Sequence, residues 1–62
     1  MEYKFKWTDH NEYTFDIEGK YEQTIEADTM FHALAVWDTI HGPVNRPYEG
    51  IIRSITYIAP DQ

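Results

Sequence analysis

Every second residue near the start of the chain is aromatic, and this spacing constrains the fold more than any other feature. Tyr3, Phe5 and Trp7 alternate with polar residues. A period of two places the three rings on one side of an extended segment and the polar residues on the other. The sequence therefore predicts a strand over residues 2–8 with one buried face.

The same alternation returns after a short polar segment. Residues 12–18 place Tyr13, Phe15 and Ile17 in phase with one another on the face expected to be buried, and residues 9–11 are polar. A three-residue loop keeps the aromatic faces together by placing Trp7 opposite Tyr13, whereas a two-residue loop would split them. We therefore expect a second strand over 12–18.

A third strand is expected over residues 21–27, after a turn at 18–20 that contains Gly19. In the register that keeps the apolar faces together, Asp16 lies opposite Glu22. Two like charges in that position cost a few tenths of a kcal/mol or more.

The hydrophobic period changes at Asp28, a favourable N-cap for a helix over residues 29–41. Gly42 and Pro43 supply a stop. At 100° per residue one stripe collects the apolar residues and one histidine: Met30, Ala33, Leu34, Trp37, Ile40 and His41.

Residues 51–59 form the last expected strand, which Pro60 ends. The predicted fold is a single α+β domain over residues 1–62, of order βββαβ. One amphipathic helix packs on one face of a four-stranded, largely antiparallel sheet. A right-handed crossover permits the last strand to lie parallel to the first, which we favour.

Composition excludes several classes of function. Eleven acidic residues against five basic ones give a net charge of −6, which disfavours direct binding to nucleic acid or to an anionic membrane. The chain has no cysteine, no run of about 18 apolar residues and no apolar signal segment at its start. We expect a cytoplasmic protein, in the host cytoplasm if a phage encodes it.

Catalytic apparatus is not apparent in the sequence. Ser54 lies in the middle of a predicted strand, and no glycine-rich phosphate loop occurs. Asp28 and His32 are four residues apart and could share a cation, but we prefer the explanation that Asp28 is an N-cap and His32 a solvated histidine. We expect no enzymatic activity, no cofactor and no metal site.

The uncovered face of the predicted sheet is acidic. Its carboxylates would be repeated along and across strands, a spacing that can imitate phosphates and dock on a basic protein surface. A face that serves only solubility is the alternative. Two prolines stiffen the loop that holds Arg46 and Tyr48, and the last strand has more apolar residues than one covered face can bury. The expected partner-binding residues are Glu12, Asp16, Glu18, Glu22, Glu26, Arg46, Tyr48 and Tyr57.

The junction Ile25-Glu26-Ala27-Asp28-Thr29, followed by Ala33-Leu34 and Trp37, resembles a pattern of small proteins from phages and mobile elements. With the βββαβ order it is also similar to the small domain of HicB-type antitoxins, which implies toxin neutralisation. This chain has Ala27 where that family has glycine, and no DNA-binding tail. In size and charge it resembles phage inhibitors of bacterial defence, including anti-CRISPR proteins. Neither resemblance carries functional residues over.

The leading hypothesis from the sequence is a non-enzymatic protein-binding module. It would be a phage-encoded inhibitor whose acidic sheet face occludes a basic surface of a nucleic-acid-handling protein in host defence. The alternatives are a structural or self-assembling accessory protein, with a possible homodimer through a strand edge, and an antitoxin-like domain.

Overall fold

The described part of the chain folds into three strands and one helix. A computed structural model describes residues 1–42 and 49–61. In chain order the elements are β1 (Glu2–Asn11), β2 (Ile17–Glu26), α1 (Met30–His41) and β3 (Ile51–Pro60). The α+β class agrees with the sequence, but the predicted four-stranded sheet is wrong, because the described residues form one three-stranded antiparallel sheet.

The second predicted strand is the part that does not form. β1 continues through the expected turn to Asn11, and residues 12–16 connect it to β2. Trp7 consequently lies opposite Tyr21 rather than opposite Tyr13. The alternation of Tyr13 and Phe15 is real, but it lies in a loop.

The observed register changes the charge environment of Glu22. The predicted arrangement set Asp16 opposite Glu22, whereas the observed one sets Lys6 opposite Glu22. Lys4 also forms an ion pair with Glu22, with 3.4 Å between Nζ and Oε1. Glu22 thus exchanges a repulsive cross-strand neighbour for attractive ones, while Glu2 and Glu26 form a like-charge pair at the other end of the register.

The strand order is β2-β1-β3, so the aromatic strand β1 is central. β3 runs antiparallel to β1, and the expectation that the last strand lies parallel to the first is wrong. α1 carries the chain back along the sheet after β2, so β3 runs in the direction of β2. The crossover therefore joins two parallel strands, with β1 between them.

An extra residue in β3 resolves the predicted excess of apolar side chains. Lys6 pairs with Tyr57 and Trp7 with Ile55, which leaves Thr56 as a bulge. A bulge reverses the alternation beyond it. As a result both Ile55 and Ile58 pack against the core under the helix.

The core lies between β1 and the helix. Phe5 and Trp37 are fully buried and stack with parallel rings whose centroids are 6.0 Å apart. Trp7 meets Trp37 edge to face at 5.3 Å. Ala33 is fully buried, and its small side chain allows α1 to approach the sheet. Each large side chain buried here contributes about 1.5–3 kcal/mol.

The helix begins one residue later than predicted and ends as predicted. Thr29, not Asp28, is the N-cap, and its Oγ1 accepts a hydrogen bond from the backbone N–H of His32 at 3.1 Å. Gly42 has a φ of 77° and donates its N–H to the carbonyl of Asp38. That left-handed conformation favours glycine, which explains why the helix stops there.

A buried ion pair joins β1 to β3. Arg53 donates from Nε and from its second terminal nitrogen to the two carboxylate oxygens of Asp9, at 2.7 and 3.0 Å. Each residue is 6% exposed. Sequence reasoning placed Asp9 in a turn, because the partner that makes its burial tolerable is 44 residues away.

Asp9→Asn should lower the free energy of unfolding by about 3 kcal/mol, because it leaves the charge of Arg53 buried without its counter-charge. Glu22→Gln is the matched control, since it makes the same chemical change in the solvated pair with Lys4, where we expect at most about 1 kcal/mol. Urea unfolding followed by tryptophan fluorescence measures both. Equal losses would contradict the role assigned to the buried pair.

Candidate protein-binding surface

The open face of the sheet, opposite the helix, is close to neutral. The buried alternation of β1 and β2 assigns three glutamates and three lysines of the described residues to it: Glu2, Glu22, Glu26, Lys4, Lys6 and Lys20. The hydrogen bond and charge of Glu22 raise the pKa of Lys4. Of the carboxylates that the sequence placed on an acidic face, Glu2, Glu22 and Glu26 lie here, and the three lysines balance them.

The other expected binding residues are dispersed. Glu12, Asp16 and Glu18 lie where β1 turns into β2. Tyr57 is on the open face, with the Lys6 ammonium 5.4 Å from its ring centroid. Arg46 and Tyr48 fall outside the described residues. The described members of the predicted set therefore do not share one surface.

The turn between β1 and β2 is an ordered loop closed by one asparagine. Asn11 Oδ1 accepts hydrogen bonds from the backbone N–H groups of Tyr13 and Thr14 at 2.8 and 3.0 Å. The backbone of Asn11 also bonds to Phe15 and Asp16, each at 2.8 Å. This local pattern is typical of asparagine in turns and competes with strand formation. An asparagine at position 11 is the sequence feature that could have predicted the loop.

We call residues 12–18 the hairpin end, and its apolar side chains face solvent. Tyr13 is 77% exposed, Phe15 68% and Ile17 54%. Single exposed apolar residues are ordinary, but a cluster within one short segment is typical of a contact surface. Sequence reasoning placed these three side chains in the core.

Phe15 adopts a backbone conformation that suits another residue type. Its φ is +63°, in the left-handed region. For a residue with a Cβ this costs about 1–2 kcal/mol, and glycine or asparagine adopts it more readily. Because the ring is largely exposed, its burial does not offset that strain. Strained, exposed positions of this kind occur at functional sites.

The hairpin end is also acidic. Glu12, Asp16 and Glu18 lie within it, and it contains no basic residue. The backbone N–H of Glu12 donates to the carbonyl of Gly50 at 2.8 Å. This hydrogen bond holds the turn that contains Glu49 next to the hairpin end. Aromatic and acidic groups are thus combined at one end of the sheet.

A second feature is a cleft beside the C-terminus of the helix. Its volume is about 240 Å³, and it is lined by Trp7, Asp9, Tyr21, His41 and Arg53. His41 Nε2 lies 2.6 Å from Gln23 Oε1, and its ring centroid is 4.9 Å from those of Trp7 and Trp37. Burial, together with the nearby charge of Arg53, lowers the pKa of His41.

These concavities are small for ligand sites. Three open clefts with volumes of about 240 to 300 Å³ lie along the described parts of the chain. That is at or below the lower limit of about 300 Å³ for pockets that hold small molecules. Asp28 and His32 are both exposed, and His32 lines one of these clefts without Asp28, so no described cleft holds the pair together. Residues 1–42 and 49–61 contain no cluster of three potential metal ligands.

Comparisons with known proteins do not assign this chain to a family. No family model, no curated protein and no solved structure matches it. Within the described ranges, no helix has the length and apolar character needed to cross a membrane. The hairpin end is therefore judged on its geometry alone.

Phe15→Asn should raise the free energy of unfolding by about 1 kcal/mol, because asparagine tolerates the left-handed backbone better than phenylalanine does. Tyr13→Asn, two residues earlier at an equally exposed site with negative φ, is the control and should have little effect. Thermal and urea unfolding report the difference. A loss of stability in Phe15→Asn would show that its ring supports the fold.

The lowered pKa of His41 makes the fold sensitive to acid. The folded state binds this proton less readily than the unfolded chain, so stability is full above about pH 6.5 and falls as the pH drops through the folded-state pKa. We expect wild type to lose more stability between about pH 7.5 and 5.5 than His41→Gln, which keeps a donor for Gln23. If the free energy of unfolding fell equally in both proteins, His41 would not be the cause of the acid sensitivity.

Proposed function

We propose that this protein is a non-enzymatic binding module that inserts its hairpin end into a concave, basic surface of another protein. The observation that carries the proposal is the exposed Phe15 ring held in a strained backbone conformation. The fold would be more stable with glycine or asparagine there. A contact between the ring and a partner protein would explain why phenylalanine occupies this position.

The shape of the molecule supports insertion. The described strands are ten residues long, and the principal extents are 37 × 20 × 12 Å. The long dimension matches the roughly 33 Å expected of a ten-residue strand, which places the hairpin end at one extremity. An end of an elongated molecule can enter a concave surface, which the middle of the sheet cannot do as readily.

Apolar contact supplies the affinity in this proposal. Burial of each large side chain of the hairpin end contributes about 1.5–3 kcal/mol. Aromatic residues such as Tyr13 and Phe15 are common anchors of interfaces. The loop is already ordered by Asn11, so binding loses less conformational entropy than it would with a flexible segment.

The acidic groups select the partner. Carboxylates around the aromatic residues attract a basic surface and speed the encounter, and they repel phosphates. A nucleic-acid-handling protein offers such a surface, so inhibition of one remains the most specific form of the proposal. The sheet face expected to do this is neutral, and the hairpin end takes its place.

The test uses two variants of the hairpin end and two matched controls elsewhere. Phe15→Asn and Asp16→Lys change the surface, while Phe31→Asn and Glu26→Lys make the same changes at exposed positions on α1 and on the open face. Proteins captured from a bacterial lysate by wild type are purified, and each affinity is measured by calorimetry.

For a genuine partner we expect Kd to rise about 10-fold or more in Phe15→Asn and Asp16→Lys, and to be unchanged in both controls. Added salt should weaken the wild-type complex. Because Phe15→Asn is expected to stabilise the fold, its loss of binding cannot be attributed to unfolding. The proposal would be overturned if a captured protein bound all four variants with the same Kd. It would also be overturned if only the two control variants bound more weakly than wild type.

A further inference from the structure

The two edges of the sheet differ in charge. Along β2 the charged side chains are Glu18, Lys20, Glu22 and Glu26. β3 carries a single charge, that of Arg53, which is buried against Asp9. Charged residues on an edge strand normally prevent it from pairing with another chain. β2 has this protection, whereas β3 has no exposed charge, and its bulge at Thr56 and Pro60 interrupt the edge only in its C-terminal half.

β3 also retains exposed apolar surface. Ile51, Ile52, Ile55 and Ile58 are half-buried, and Tyr57 is 46% exposed. Among the described residues β3 pairs with β1 alone, so its outer side presents a row of backbone donors and acceptors. An apolar edge without exposed charge is a template for another strand.

We propose that β3 pairs antiparallel with β3 of a second copy of this chain, so that two three-stranded sheets become one six-stranded sheet. The two outer edges of that sheet would both be β2. Because β2 is charged, assembly stops at the dimer.

Charge explains why two copies of an acidic chain can meet at this edge. β3 contains no acidic residue. On the open face its neighbours in β1 are the lysines at positions 4 and 6. Carboxylates flank only the two ends, at Glu49 and Asp61. Two molecules of charge −6 therefore approach along the middle of β3 without opposing carboxylates.

The small size of the chain leaves apolar surface exposed that a second copy could bury. A chain of 62 residues buries only about 60% of the surface that it exposes when unfolded. A neighbouring strand would cover the exposed parts of the isoleucines on both faces of β3. The same contact would satisfy the outward backbone groups.

The test is the molecular mass in solution, measured by sedimentation equilibrium from about 1 to 500 μM, a range over which mass action shifts a weak dimer. We expect a reversible monomer–dimer equilibrium for wild type. Salt should strengthen it by screening the repulsion between two acidic chains. This sign is opposite to the one expected for binding a basic partner.

Ser54→Lys and Thr24→Lys form a matched pair, since both replace an exposed hydroxyl residue of the open face, the first on β3 and the second on β2. We expect Ser54→Lys to raise the dimer Kd at least about 10-fold and Thr24→Lys to leave it unchanged. Ser54→Glu is a second variant, because a like charge on both copies opposes pairing whatever its sign. Circular dichroism confirms that each variant is folded.

A concentration-independent monomer would overturn this inference, as would a dimer that Thr24→Lys disrupts and Ser54→Lys does not. Phe15→Asn should dimerise like wild type. The dimer and the proposed hairpin contact can therefore fail separately.

Discussion

The buried contact between Asp9 and Arg53 is the constraint on which the rest of the structure depends. It joins the end of β1 to the start of β3, and Arg53 also reaches the last carbonyl of the helix, that of His41, at 3.4 Å. The guanidinium carbon lies 5.9 Å from the ring centroid of Trp37. One side chain thus connects two strands, the helix and the aromatic core. A buried charge tolerates few alternative positions, so this pair helps to fix the register of both strands.

Local patterns in the sequence predicted the first strand, the helix and the last strand, because each has a clear period. The buried positions of Phe5 and Trp37 follow from those periods. Thr56 could not be predicted as a bulge, since alternation alone cannot show where an extra residue enters a strand. The direction of β3 was also missed, because the crossover rule applies to β2 and β3 rather than to β1.

The candidate surface was harder to predict than the fold. Alternation of Tyr13, Phe15 and Ile17 is the same whether a segment is a strand or a loop, and the difference lies in hydrogen bonds from Asn11. Lys20 was expected in a turn, but it lies on the open face, where it helps to balance the glutamates. Acidic residues counted along a sequence do not make an acidic face until their register with the lysines is known.

The bulge at Thr56 also governs how this chain can change over evolutionary time. Ile55 and Ile58 lie on opposite sides of the bulge and are three residues apart. Both face the core only because Thr56 adds one residue between them. Loss of a single codon at this position would exchange the inward and outward sets of every following residue of β3. A substitution of Thr56 loses only contacts of its own side chain, such as the hydrogen bond from Oγ1 to the carbonyl of Lys6 at 3.1 Å. We therefore expect related chains to conserve the spacing of β3 more strictly than the residue at its bulge.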